Sequence, residues 1–148
     1  MTIADLVARH RRVALDANAL VYLLEAPDPL GRVTAAILDA AEGGRPTVVL
    51  ATLALAEIAV GPVRRGDETI VERYADEIRD LRGVQIVPLT ADIALDVGVI
   101  RGRYRIRLAD AIHLATARQA GASAIVTNDR RMPEIPHLEV IQLADLVT

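Results

Sequence analysis

Short apolar runs rich in β-branched residues alternate along this chain with longer segments of helical pattern, and this alternation constrains the fold more than any other feature. The runs predict strands near 13–15, 47–50, 84–87, 124–126 and 138–141. Parallel strands need crossover connections of a dozen or more residues, usually helices, and the spacing of the runs allows for them. The chain is therefore expected to form an α/β fold around a central parallel sheet of about five strands.

The segments between these runs carry residues typical of helix ends, with a Pro, an acid or a capping residue at the start and Gly near the end. They predict helices at 27–44, 67–83, 90–104 and 108–121. A length of 148 residues, of which 52% are apolar, suits a single domain, 1–148. Charged residues interrupt every apolar stretch before it reaches the length of a membrane span, and the first residues lack the apolar core of a signal peptide. We therefore expect a soluble, cytoplasmic protein with no membrane partner.

Four carboxylates stand where apolar runs end or are interrupted. They are Asp16 after RVAL, Glu57 within LALAEIAV, Asp110 within LADAIHLATA, and Asp129 after SAIVTN. The carboxyl ends of strands in an open α/β sheet form the crevice in which such folds bind ligands, so we expect these acids to converge there. Carboxylates brought close together repel one another unless a hard cation with oxygen ligands neutralises them. The sequence therefore predicts a divalent-metal site.

The residue inventory excludes most other catalytic chemistries. There is no Cys, all 17 basic residues are Arg, and the single Ser, Ser123, has no Gly-x-Ser-x-Gly sequence around it. Thiolate nucleophiles, Cys-ligated zinc, a phosphate-binding or Schiff-base lysine and a serine nucleophile elbow are thus excluded. Carboxylates, amides, hydroxyls and arginines remain, and they suit attack by metal-activated water.

Each acid also has a structural alternative. Asp16 could cap the helix that starts at Ala17, and Glu57 could point outward from an amphipathic helix. Asp110 could cap the helix that follows it, and Asp129 could belong to a polar turn. Because Asp is common in these roles, no single acid identifies the site, and the prediction rests on their joint placement.

The four motifs, taken in order, resemble those of the PIN-domain ribonucleases. They are Asp16-x-Asn18 after the first strand, Glu57 in a helix behind Thr52, ADAIHLA around Asp110, and Thr-Asn-Asp ending at Asp129. The resemblance spans almost the whole chain and implies a three-layer α/β/α sandwich. The small size looks like VapC, the toxin of bacterial and archaeal toxin-antitoxin pairs. The segment DRRMPEI departs from the family pattern, in which a further Asp and an aromatic residue often follow.

The resemblance implies an endoribonuclease that depends on Mg²⁺ or Mn²⁺, acts on RNA and is held inactive by a VapB-type antitoxin. The catalytic residues would be Asp16, Glu57, Asp110 and Asp129. These four acids would also hold one or two metal ions. Asn18 and Thr127 each lie two residues from an acid, where they could orient a carboxylate or a bound water. Turn formation is the alternative for both.

Histidine is not assigned to the metal. His113 follows Asp110 by three residues and could share its helix face, but the apolar pattern around His113 favours packing. The acids already provide the oxygen ligands that hard cations prefer. His10 and His137 are expected at the surface.

Three arginines, Arg103, Arg105 and Arg107, occupy alternate positions just before Asp110. If this run is extended, their guanidinium groups would lie on one side of the chain, near the acids, and could bind RNA phosphates. The alternative is a solvated helix end. Further candidates for RNA contact are Arg64, Arg65, Arg130 and Arg131.

Other functions would also explain an Asp after a strand. A receiver or haloacid-dehalogenase-like domain uses one with Mg²⁺, but both usually need a Lys beside the phosphate, and this chain has none. A catalytically silent PIN-fold interaction module and a non-toxin PIN nuclease of RNA processing stay open. The apolar segment 48–61 and the helix after Ala17 predict more apolar surface than one domain covers, which favours a homodimer.

Overall fold

Short strands and α-helices alternate through most of this chain. A computed structural model describes residues 1–25 and 29–146. The strands are β1 (Arg12–Leu15), β2 (Thr47–Ala51), β3 (Val84–Val87), β4 (Ala124–Thr127) and β5 (Glu139–Gln142). The helices are α1 (Ile3–Arg9), α2 (Ala17–Glu25), α3 (Pro29–Glu42), α4 (Leu53–Arg64), α5 (Thr69–Arg79), α6 (Ala91–Tyr104) and α7 (Leu108–Gln119), and a 3₁₀ turn covers Leu143–Asp145.

The strands form one parallel sheet in the order β3-β2-β1-β4-β5. Each run predicted as a strand is present, within one or two residues of the expected bounds. The predicted α/β fold with a parallel sheet of about five strands is thus confirmed. The four predicted helices correspond to α3, α5, α6 and α7, and the first two residues of the prediction at 27–44 lie outside the described residues.

Alternate residues of the strands point into two separate apolar cores. Val13, Leu15, Val48 and Leu50 face a core formed with α1 to α5, whereas Ala14, Val49 and Ile125 face a core formed with α6 and α7. Strands buried on both faces explain the near-continuous apolar runs in the sequence. The result is the three-layer α/β/α arrangement expected from the resemblance.

The strand order reverses direction between the neighbouring central strands β1 and β4, because β2 lies next to β1 on one side and β5 lies next to β4 on the other. The helices after β1 and β2 pack on one face, and those between β3 and β4 pack on the other. The chain therefore leaves β1 and β4 in opposite directions, which opens a crevice beyond their carboxyl ends. Asp16 directly follows β1, and Asp129 follows β4 by one residue.

Helix α1 is absent from the predicted elements, although its N-terminus carries a capping box. Thr2 and Asp5 exchange side-chain to backbone hydrogen bonds there. His10 caps the C-terminus of the helix, and its Nδ1 lies 2.7 Å from Ser123 Oγ while its Nε2 lies 3.1 Å from Glu139 Oε2. His10 is buried, so the expectation of a surface position was wrong: its ring lies against Ser123 and Glu139, beside the starts of β4 and β5. His137 is exposed, as predicted.

None of the helices in the described part of the chain combines the length and the hydropathy that a membrane crossing requires.

Candidate functional site

The candidate site lies at the crevice beyond β1 and β4. Asp16 is almost fully buried there because it is placed at the end of the central strand. Its Oδ2 accepts a hydrogen bond from the hydroxyl of Thr127, and its Oδ1 accepts one from the backbone N–H of Ala19, at 3.2 Å. Asp16 therefore caps α2, as the structural alternative proposed, and also faces the crevice. Burial raises the pKa of Asp16, and the two hydrogen bonds offset this only in part.

Thr127 connects the ends of the two central strands. Its hydroxyl donates to Asp16 and accepts a hydrogen bond from the backbone N–H of Asp129, at 3.0 Å. The side chain is fully buried, so no water competes for these bonds. Thr127 thus positions a carboxylate and also forms the turn, which combines the two roles considered for it. Asn18 is exposed and contributes to the wall of the same crevice.

Glu57 reaches the crevice from the partly buried face of α4. Its Oε1 lies 2.5 Å from Nε2 of His113, which is buried on α7. The hydrogen bond fixes the Glu57 carboxylate across two helices that are far apart in sequence. Thr52 stands directly before α4 but makes no capping hydrogen bond with its side chain.

Asp110 lies in the first turn of α7 and pairs with the residue that precedes this helix. Arg107 Nε donates to Asp110 Oδ2 at 3.0 Å, and Arg107 Nη2 donates to Oδ1 at 3.3 Å. The same Nη2 lies 3.5 Å from Asp129 Oδ2. One guanidinium therefore bridges two of the predicted metal ligands. Asp110 makes no capping hydrogen bond, so the alternative of an N-cap was wrong; Arg107 occupies that position.

Asp129 is enclosed by arginines. Arg131 donates to it from its backbone N–H at 2.9 Å, from Nε at 3.1 Å and from Nη2 at 3.2 Å. These bonds lower the pKa of Asp129, with Arg131 as the main cause and Arg107 as a smaller one. Asp129 is therefore ionised over the whole neutral range. The polar-turn alternative holds as well, since the carboxylate closes the turn onto Arg131.

A cavity of about 110 Å³ joins three of the four acids. Its lining is formed by Asp16, Ala17, Asn18, Glu57, Arg107, Asp110 and His113. Carboxylate oxygens from three distant segments form a donor set that suits a hard divalent cation. Across residues 1–25 and 29–146, no three His, Asp or Glu side chains are close enough to hold a metal ion as they stand. Asp110 and Asp129 are instead paired with guanidinium groups.

Two contacts of this site were missed in the sequence. His113 was assigned to packing, and it is indeed buried, but its Nε2 also binds Glu57. That pairing joins positions 56 residues apart, so only tertiary structure shows it. Arg107 was expected to face RNA, whereas its three-residue spacing from Asp110 on a helix start is the pattern of a local ion pair.

The run of alternating arginines is not extended, although the prediction that all three bind RNA assumed an extended backbone. Arg103 lies in the last turn of α6, Arg105 ends that helix in the left-handed conformation with φ 52°, and Arg107 precedes α7. The helix-end alternative thus describes Arg103. Whether Arg103, Arg105 or Arg107 contacts RNA stays a prediction.

The PIN domain family model matches residues 13–138, a range that contains all four acids. Comparison with curated protein sequences gives no match.

Several solved structures share the fold. FitAcB from Neisseria gonorrhoeae is 23% identical with a TM-score of 0.69, over 90% of this chain and 99% of that one. VapBC2 from Rickettsia felis, bound to a DNA fragment from its promoter, is 19% identical with a TM-score of 0.70, over 88% and 98%. Mycobacterium tuberculosis VapC20, described as a sarcin-ricin loop cleaving toxin, is 17% identical with a TM-score of 0.61, over 76% and 86%.

Proposed function

We propose that this chain, which belongs to the PIN-domain family, is a metal-dependent endoribonuclease and the toxin of a VapBC-type toxin-antitoxin pair. The observation that carries the proposal is the convergence of Asp16, Glu57 and Asp110 on one polar cavity at the crevice of the sheet. These residues lie in three segments far apart in sequence. An acid cluster of this kind adds nothing to the apolar cores, and repulsion among its members would destabilise the fold. A function of the cluster explains its presence.

The proposed cofactor is Mg²⁺ or Mn²⁺, held by Asp16, Glu57, Asp110 and Asp129. When bound, such an ion supplies an activated water and neutralises charge on the scissile phosphate. The protein's own residues prepare the ligands for this. Thr127 and the N–H of Ala19 fix Asp16, and His113 fixes Glu57.

Arg107 has a second role in this proposal. In the structure it neutralises Asp110 and Asp129, which would otherwise face each other. Its side chain is 65% exposed, so it could turn toward solvent once these contacts are broken. Binding of a cation by the acids would release the guanidinium toward the phosphates of the substrate.

The proposed partners are an RNA substrate, a VapB-type antitoxin and a second copy of the chain. The structural neighbours include toxin-antitoxin complexes. Large apolar side chains are also exposed, with Leu95 at 73%, Val99 at 48% and Val63 at 45%. Exposed apolar groups on neighbouring turns of one helix, such as Leu95 and Val99, are typical of contact surfaces. An antitoxin that inserts an Arg among the acids would repeat the contact that Arg107 makes.

One observation favours the second candidate, a silent interaction module. Arg107 forms an ion pair with Asp110, and Arg131 forms one with Asp129, so these two acids are neutralised without a metal. A module of this kind would bind the antitoxin or RNA but would not cleave RNA.

Cleavage of total RNA with and without Mn²⁺ or Mg²⁺ tests the proposal. The wild-type protein should cleave only with the metal, and Asp16→Ala should abolish cleavage. Asp76→Ala is the matched control, because Asp76 is an exposed acid on α5. Cleavage retained in Asp16→Ala would refute the assignment of the site. A folded wild-type protein that binds RNA but never cleaves it would support the silent module instead.

A further inference from the structure

A wide groove runs along the end of α6, outside the acid site. It holds about 510 Å³ and is lined by Gly98, Arg101, Gly102, Arg105 and Ile106. We call this set the arginine groove. Its volume lies within the range of cavities that take small organic ligands. A nucleotide is a ligand of that size.

The arginine groove continues to the acids through a second cavity. That cavity holds about 290 Å³ and is lined by Tyr104, Arg105, Ile106, Arg107, Asp110 and Arg131. It shares Arg105 and Ile106 with the arginine groove, and it shares Arg107 and Asp110 with the cavity of the acid site. The three cavities therefore adjoin one another, with the second cavity between the arginine groove and the acid site.

The guanidinium groups of the arginine groove have no carboxylate partner in the described part of the chain, in contrast to Arg107 and Arg131. Arg101 makes one hydrogen bond, from Nε to the backbone oxygen of Ile106 at 3.4 Å, and Arg105 is exposed. Both retain free N–H donors in the planar arrangement that matches phosphate oxygens.

Two of the lining residues of the groove are glycines one helical turn apart, Gly98 and Gly102. A Cβ added at Gly98 or Gly102 would meet no atom within 4 Å, so packing within the chain does not require glycine at either position. Glycine inside a helix lowers stability relative to alanine. The groove is thus kept open at a position where a side chain would stabilise the helix.

We propose that the arginine groove is a phosphate-binding subsite for a nucleotide that flanks the cleavage site in single-stranded RNA. This inference rests on the proposed function. Arg101 and Arg105 would each bind one backbone phosphate, and the second cavity would lead the chain to the acids. The groove is not lined by an aromatic ring for base stacking, so it should bind RNA without regard to sequence.

Charge favours RNA over a second protein copy in this groove. If two copies met at their arginine grooves, Arg101 and Arg105 of one copy would face the same arginines of the other, and the like charges would repel. The phosphate chain supplies the opposite charge. Arg103 lies between these residues in sequence but does not line the groove.

Binding of a fluorescently labelled single-stranded RNA of mixed sequence tests the subsite. Anisotropy is measured in EDTA, so that metal-dependent cleavage does not destroy the probe. The double variant Arg101→Gln/Arg105→Gln should lower the steepness of log K against log salt by about 1.4, since each single-strand phosphate contact contributes about 0.7. At 0.1 M salt that change corresponds to about 25-fold weaker binding. The control, Arg32→Gln/Arg82→Gln, removes the same charge from exposed positions outside the groove and should change the slope little.

A second variant fills the groove without changing charge. Gly98→Leu should weaken binding about fivefold, the factor for one phosphate contact at 0.1 M salt, and should raise the melting temperature. Equal affinity and slope for the two double variants would overturn the subsite but leave the proposed function standing. A wild-type protein that binds no RNA at low salt would overturn both. Conversion of a dimer to a monomer by Gly98→Leu, with RNA affinity unchanged, would assign the groove to a second copy and overturn the subsite.

Discussion

Replacement of Thr127 by Val should weaken the fold at the point where the two central strands meet. Thr127 is fully buried, and Val has nearly its shape, so the change removes a hydroxyl and little else. The hydroxyl donates to the buried carboxylate of Asp16 and accepts from the N–H of Asp129. A hydrogen bond to a charged group contributes about 1.5–3 kcal/mol, so we expect a loss of about 2–3 kcal/mol. For a chain of this size, that loss lowers the melting temperature by roughly 5–10 °C.

The chain offers a matched control. Thr116 is also buried, but its hydroxyl has no hydrogen-bond partner among the described residues. Thr116→Val makes the same chemical change and should leave the free energy of unfolding unchanged or raise it, because no bond is lost. Urea denaturation of both variants at neutral pH measures the difference.

The loss in Thr127→Val should also depend on pH. The Thr127 hydroxyl lowers the pKa of Asp16 in the folded state, so its removal raises that pKa further. The difference between variant and wild type is fully present above the folded pKa of the variant. It falls as pH drops through the two folded pKa values, because a protonated Asp16 depends less on this donor. Equal losses in Thr127→Val and Thr116→Val, or a loss that does not change with pH, would refute this account of the contact.

Three further outcomes are expected. Asp16→Asn should stabilise the metal-free protein at neutral pH, because burial raises the pKa of Asp16. Urea denaturation across pH should show this gain in the free energy of unfolding disappear below pH 3.8, the pKa of Asp16 in the unfolded chain. Mg²⁺ or Mn²⁺ should raise the melting temperature measured by calorimetry. The rise should be larger in Arg107→Gln than in Arg103→Gln, because Arg107 competes with the metal for Asp110 and Asp129, and equal rises would argue against that competition. Light scattering at micromolar concentration should give the mass of a dimer, and a monomer would contradict the proposed homodimer.

The sheet and the edge that carries the acids could be predicted because both follow from local patterns. Each strand is a short apolar run, and β1 and β4 are both followed by an acid within two residues. The rule that ligands bind beyond the carboxyl ends of such strands then places Asp16 and Asp129 together. No knowledge of packing was needed for this step.

The partners of the acids could not be predicted because they depend on how helices pack. The bond between Glu57 and His113 requires α4 and α7 to meet across the edge of the sheet. The burial of His10 depends on its contacts with Ser123 and Glu139, which lie in segments far away in the sequence. Arg107 is a different case, because its pairing with Asp110 is local and follows from their spacing. It was not predicted because the segment before Asp110 was assumed to be extended.

The acid site is divided between parts of the molecule that differ in local stability. Thr127 ends the central strand β4 and Asp16 directly follows its neighbour β1, whereas Asp110 lies in the first turn of a helix that follows an exposed junction at Arg105–Arg107. Local opening of that junction requires far less free energy than unfolding of the sheet. Amide hydrogen exchange should therefore be fast at Arg105–Arg107 and slow in β1 and β4. A binding partner that loosens only the junction would displace Asp110 and leave the rest of the protein folded, so the proposed nuclease activity would be lost and regained without refolding.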